Sequence, residues 1–115
     1  MMNTIAATEV NGMKMAGNLK LVYEMIPLGI DNPIPARQIM ETVGVSRRNL
    51  AEMIQSLIYF YNVPVVAFRQ KNKFGYAIAT NNEELQRGIK SLQNNNNQMQ
   101  HRIDKLQSIK FQEEG

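Results

Sequence analysis

The chain contains no cysteine, so it can build no disulfide framework, no thiolate chemistry and no thiolate metal site. Its single histidine, His101, excludes an internal zinc cluster of histidine and cysteine ligands. No apolar run exceeds a few residues, far short of the roughly 20 that span a bilayer. Residues Met1 to Ala7 lack the basic start and apolar stretch of a secretory signal, which leads to the expectation of a cytoplasmic address. There is no glycine-rich phosphate loop, no carboxylate cluster at metal spacing, and no serine or acid placed to partner His101. The expectation is a protein that is not an enzyme, with no cofactor and no metal.

What is present fits one small domain with an appendage: 115 residues, 43% hydrophobic and 20% charged. The net charge of +3 is unevenly placed. Residues 1–31 carry Lys14 and Lys20 against Glu9, Glu24 and Asp31, a net −1. Residues 32–80 carry Arg37, Arg47, Arg48, Arg69, Lys71 and Lys73 against Glu41 and Glu52, a net +4. Residues 81–115 balance. A basic excess confined to one segment is what a polyanion-binding surface requires.

Residues 1–17 hold Gly12 and Gly17 and no clean periodicity, so a frayed lead-in is expected there. From Asn18, Leu19, Val22, Tyr23 and Ile26 recur at helical spacing until Pro27 or Gly29. Pro35 suits the first turn of a second helix, in which Ala36, Ile39, Met40 and Val43 form one face. Gly44 is a good left-handed stop. Ser46 then caps a third helix over 46–61, stapled by Val45 and Leu50, with Leu50, Met53, Ile54, Leu57, Ile58 and Tyr61 on its apolar face. Val63 to Arg69 reads as a strand, Gln70 to Gly75 as a basic turn, and Tyr76 to Thr80 as the return strand. Two helices joined by a tight turn and followed by a hairpin predict a winged helix-turn-helix over 18–80, in a mainly α protein with a small β-hairpin.

The C-terminal segment, 81–115, opens on Thr80-Asn81-Asn82-Glu83, which fits a capping box. Its apolar residues fall on a heptad: Leu85, Ile89, Leu92, Met99, Ile103 and Leu106, with Asn96 completing the series. An asparagine in such a seam fixes register in parallel two-stranded coils, so a long coiled-coil-like helix that makes a homodimer is one expectation. The run Asn94 to Asn97 consists of poor helix formers, so a break there, with two short helices folded onto the domain, is the other.

Arg47 and Arg48 sit in the first turn of the third helix, where cations oppose the helix dipole at roughly 0.3–1 kcal/mol each. Arginine there can reach guanine bidentately or clamp phosphate. Ser46, Asn49 and Gln55 extend that candidate surface along the helix; Arg69, Lys71 and Lys73 in the segment 69–75 would hold the phosphate backbone, as would Arg37 early in the second helix. The expected partner is double-stranded DNA, with the third helix in the major groove.

Ile26-Pro27-Leu28-Gly29, Ala36-Arg37-Gln38-Ile39-Met40, Gly44-Val45-Ser46-Arg47-Arg48, Val63-Pro64-Val65 and Gly75 to Asn81 together resemble the small winged-helix proteins of phages and prophages of Gram-positive bacteria. The resemblance spans residues 19–110. It implies a transcriptional regulator or replication-linked factor acting in a bacterial host cell. Because winged helices also dock proteins, the alternative is a non-enzymatic interaction module, such as a phage replication or anti-defence adaptor.

Overall fold

The computed structural model describes residues 8–70, 72–93 and 100–109. Among them are five helices and two antiparallel hairpins.

The first hairpin pairs β1 (Thr8–Val10) with β2 (Met13–Met15). These residues were expected to be a frayed lead-in. They fold because Asn11 and Gly12 both take positive φ, 51° and 83°, the two-residue turn whose twist matches that of the flanking strands. Alternation then puts Val10 and Met15 in the core, while Glu9 faces Lys14 across the outer side. The hairpin is tied to the centre of the molecule by Asn11, whose Nδ2 donates to the Tyr61 carbonyl at 2.6 Å. Tyr61 returns the link, its hydroxyl donating to the Lys14 carbonyl at 2.7 Å.

Helix α1 (Gly17–Met25) buries Val22 and ends before Ile26. Helix α2 (Ala36–Val43) starts one residue after Pro35, which caps it in an extended conformation. It stops at Gly44, whose φ of 81° lets its N–H donate to the Met40 carbonyl at 2.8 Å. Helix α3 (Arg47–Tyr59) begins at Ser46, whose Oγ accepts from the Asn49 N–H at 3.1 Å. Leu50, Ile54, Leu57 and Ile58 form its buried stripe. The helix is two residues shorter than its apolar pattern suggests, because Asn62 turns left-handed at φ 59° and the Val63 N–H reaches back to the Leu57 carbonyl.

Strands β3 (Val65–Gln70) and β4 (Lys73–Ile78) form the second hairpin, in register Val65↔Ile78, Ala67↔Tyr76, Arg69↔Phe74 and Gln70↔Lys73. The last pair, Gln70↔Lys73, makes the connection shorter than the turn expected over 70–75. The loop between α1 and α2 lies along the other edge of β4. The Ile34 and Tyr76 backbones exchange two hydrogen bonds of 2.8 Å, and Leu28 bridges to Ile78. Gly75 takes φ 127° there, and a Cβ on it would collide with the Ile34 carbonyl.

Helix α4 (Asn82–Gln93) lies on β3, with Leu85 and Ile89 buried. Its cap is displaced by one residue from the expected box: Asn81 Oδ1 accepts from the Glu84 N–H, and Glu84 Oε1 accepts from the Thr80 N–H and hydroxyl, all at 2.8 Å. Helix α5 (Gln100–Ser108) packs against both α4 and α3, burying Ile103 and Leu106. Lys105 Nζ donates to Asn62 Oδ1 at 2.6 Å. Of the heptad positions, Leu85, Ile89, Ile103 and Leu106 are thus buried in the chain's own core. Asn96 and Met99 lie outside the described residues, as does the Leu92 side chain. One continuous helix from 81 to 115 is not what the described residues form: α5 is folded back on α4, the arrangement anticipated from the asparagine run.

Candidate functional site

The start of α3, the face of the β3–β4 hairpin that carries Arg69, and the C-terminal helices converge on a cleft of about 350 Å³. Three arginines line it: Arg47 from the first turn of α3, Arg69 from β3 and Arg102 from α5. Register explains the hairpin's contribution. Arg69 pairs with Phe74, and Ala67 with Tyr76, so alternation puts these four side chains on one face. Ala67 opposite Tyr76 is small, and Phe68, Gly75 and, from α4, Ser91 also line the cleft.

The electrostatics are one-sided. No carboxylate lies among the described residues lining the cleft, and none of them pairs with Arg47, Arg69 or Arg102. The dipole of α3 points its positive end toward Arg47, which has no acidic neighbour to offset it. Arg48, one residue on, differs: its Nε lies 3.7 Å from Glu52 Oε2, one turn along the helix. Both side chains are well exposed, so that pair contributes little.

The other sequence-predicted positions divide. Asn49 and Gln55 are exposed on α3, and Ser46 is committed to its cap. Arg37 is exposed in the first turn of α2. Lys71 lies outside the described residues. Lys73 does not join Arg69: it stands on the opposite face of the hairpin, with Nζ 5.3 Å from the centre of the Phe68 ring. It also acts on Glu84 through space. Burial pushes the Glu84 carboxyl up, but bonds from the Thr80 N–H and hydroxyl, the Ile30 N–H and the Lys73 charge outweigh this and leave it below the usual glutamate range.

Of the lining residues only Arg47 and Arg69 were expected site residues; Ser91, Arg102, Phe74 and Tyr76 were not. Phe74 is 58% exposed. The register pairs it with Arg69, so strict alternation in two longer strands was the available signal. For Arg102 there was none, because its place depends on α5 folding back. Among the described residues no group of His, Asp and Glu could hold a metal ion, and no helix is long and apolar enough to cross a membrane. Set against protein-family models, curated proteins and solved structures, the chain has no match.

Proposed function

We propose that this chain is a DNA-binding protein of winged-helix type. The observation that carries the reading is the convergence of Arg47, at the head of α3, with Arg69, on the hairpin, in one cleft free of described carboxylates. The element order supports it: α1, the Ile34 bridge to β4, α2, a tight turn, α3 and then a hairpin is the order in which a winged helix is built. In this reading α3 enters the major groove, where Arg47 and Arg48 contact guanine or phosphate and Asn49 and Gln55 face base edges. Arg69 and Lys71 hold the flanking backbone from the hairpin, and Arg37 does so from α2.

The protein acts as a phage transcriptional regulator or replication-linked factor in a bacterial cytoplasm, in keeping with the resemblance noted above. A homodimer would set two α3 helices about 34–36 Å apart on the duplex, or a multiple of that. With Ile103 and Leu106 buried in the single chain, such a dimer forms through another surface than the heptad seam.

Fluorescence anisotropy with random duplex DNA tests the reading. Binding should weaken steeply with salt, by a log–log slope near −0.9 per phosphate contact, and be lost in an Arg47→Ala/Arg48→Ala variant. Absence of binding at low salt would overturn it. The second reading, a protein-docking module, is favoured by Leu28 and Phe60, which are 74% and 64% exposed.

A further inference from the structure

We propose that the cleft walled by Arg47, Arg69 and Arg102 receives one unpaired nucleotide, its phosphate held by the guanidiniums and its base laid against Phe74. This rests on the nucleic-acid reading above, and it adds a contact that a blunt duplex cannot make.

The argument begins with shape. A duplex presents its phosphates on a convex surface and keeps its bases stacked inside. A concave site of about 350 Å³ falls instead at the lower end of the roughly 300–1,000 Å³ typical of small-molecule sites. That is room for one nucleotide; a duplex would meet Arg47 and Arg69, both exposed, from outside the cleft.

The chemistry of the walls is the second line. Single-stranded nucleic acid is bound by pairing a cationic groove with aromatic faces, because the backbone is charged and every base offers a π-face. Here the exposed ring of Phe74 is the cross-strand partner of Arg69, so the aromatic face and a cation lie side by side on one rung of the hairpin. Tyr76 stands two rungs on toward the base of the hairpin, on the same face. Arg47 and Arg102 approach from two different helices, giving a phosphate donors from separate directions. No described lining carboxylate repels the anion.

Arg102 separates this inference from duplex binding, since it belongs to neither α3 nor the hairpin. A side chain on the last described helix has no part in a major-groove contact made by α3. It lines the cleft because α5 is folded back.

The test is fluorescence anisotropy on the full chain with three labelled probes: a blunt duplex, the same duplex with a short oligothymidine tail, and the oligothymidine alone. The tailed duplex is expected to bind about tenfold tighter than the blunt one, the scale of a single base stacked on an aromatic ring. Phe74→Ala and Arg102→Gln should each erase that advantage, so that tailed and blunt probes bind the variant equally. Phe74→Leu, which keeps an apolar side chain but removes the ring, should give the same loss without disturbing the hairpin.

Equal affinity for tailed and blunt probes in the wild type would overturn the cleft proposal. The duplex reading would still stand if blunt binding were salt-sensitive and lost in Arg47→Ala/Arg48→Ala. Binding of the oligothymidine alone, with no binding of blunt duplex, would uphold the cleft and overturn the duplex reading. Binding of no probe would overturn both.

Discussion

Gly88 on α4 lies so close to Val66 on β3 that a Cβ at position 88 would overlap the Val66 Cβ and Cγ1. The helix rests on the strand through this contact, which only a residue without a side chain allows. Gly88→Ala brings two opposed effects. It should gain about 1 kcal/mol of helix propensity and lose more to overpacking, typically about 1–3 kcal/mol and at times above. Val66 is 1% exposed and has no room to retreat, so the second effect wins. Urea denaturation should show a lower midpoint for Gly88→Ala; an unchanged or higher midpoint would mean that α4 can slide on the sheet.

Glu84 makes stability depend on pH in a definite direction. Its carboxyl titrates below the usual range in the folded protein, so in acid the unfolded chain binds more protons than the native one. The stabilisation is fully present above the ordinary glutamate range and is lost as pH falls through the lower folded value. Glu84→Gln should flatten the fall in thermal midpoint over that acid window, and leave less stability at neutral pH. A fall as steep as the wild type's would show that other carboxylates carry the acid sensitivity.

The basic side chains should not behave alike. Arg47 lines the cleft without an acidic partner, whereas Arg48 is offset in part by Glu52. Arg47→Ala should therefore cost more DNA affinity than Arg48→Ala, about 1–3 kcal/mol if it reads a base. Lys73→Ala should act on stability instead, because Lys73 sits over Phe68 on the far face of the hairpin. Anisotropy and thermal melts on the three variants separate these effects. A Lys73→Ala variant with normal stability and a reduced salt slope would return Lys73 to the DNA surface.

Asn11 carries two tasks at once. It supplies the positive φ that the β1–β2 turn requires, and it donates to the Tyr61 carbonyl. Asn11→Ala should free the hairpin, exposing the amides of β1 and β2 to faster hydrogen exchange while those of α3 stay protected. The cost should be about 1–3 kcal/mol from the lost bond and the strained backbone together. Uniform acceleration across the whole chain would mean that the hairpin is not a separate unit.

The parts of this fold that could be read from the sequence are those fixed by neighbours in the chain. Gly44 ends α2, Ser46 caps α3, and the apolar stripe of α3 has helical spacing; all three are local signals, and all three hold. The β3–β4 turn was misplaced because Gly75 looks like a turn glycine. Its actual reason is the Ile34 carbonyl, a contact between residues far apart in sequence. The first hairpin does carry a local mark, the Asn11-Gly12 pair, in a segment that otherwise has no periodicity. Arg47 and Arg69 could be nominated from charge and position, whereas Arg102 reaches the cleft only through the packing of α5 on α3 and α4. A heptad pattern says which residues want to be buried, not whether a second chain or their own will bury them.

The paired hydrogen bonds between Ile34 and Tyr76 have a thermodynamic corollary. They tether the β3–β4 hairpin to the residue two places before α2, and Gly75 lets the two backbones meet without a side chain between them. The hairpin is thus held at its base rather than hinged there. The spacing between Arg69 on the hairpin and Arg47 on α3 is set by folding itself. A ligand entering between them meets a pre-organised site, and little of its binding free energy is spent on ordering the walls.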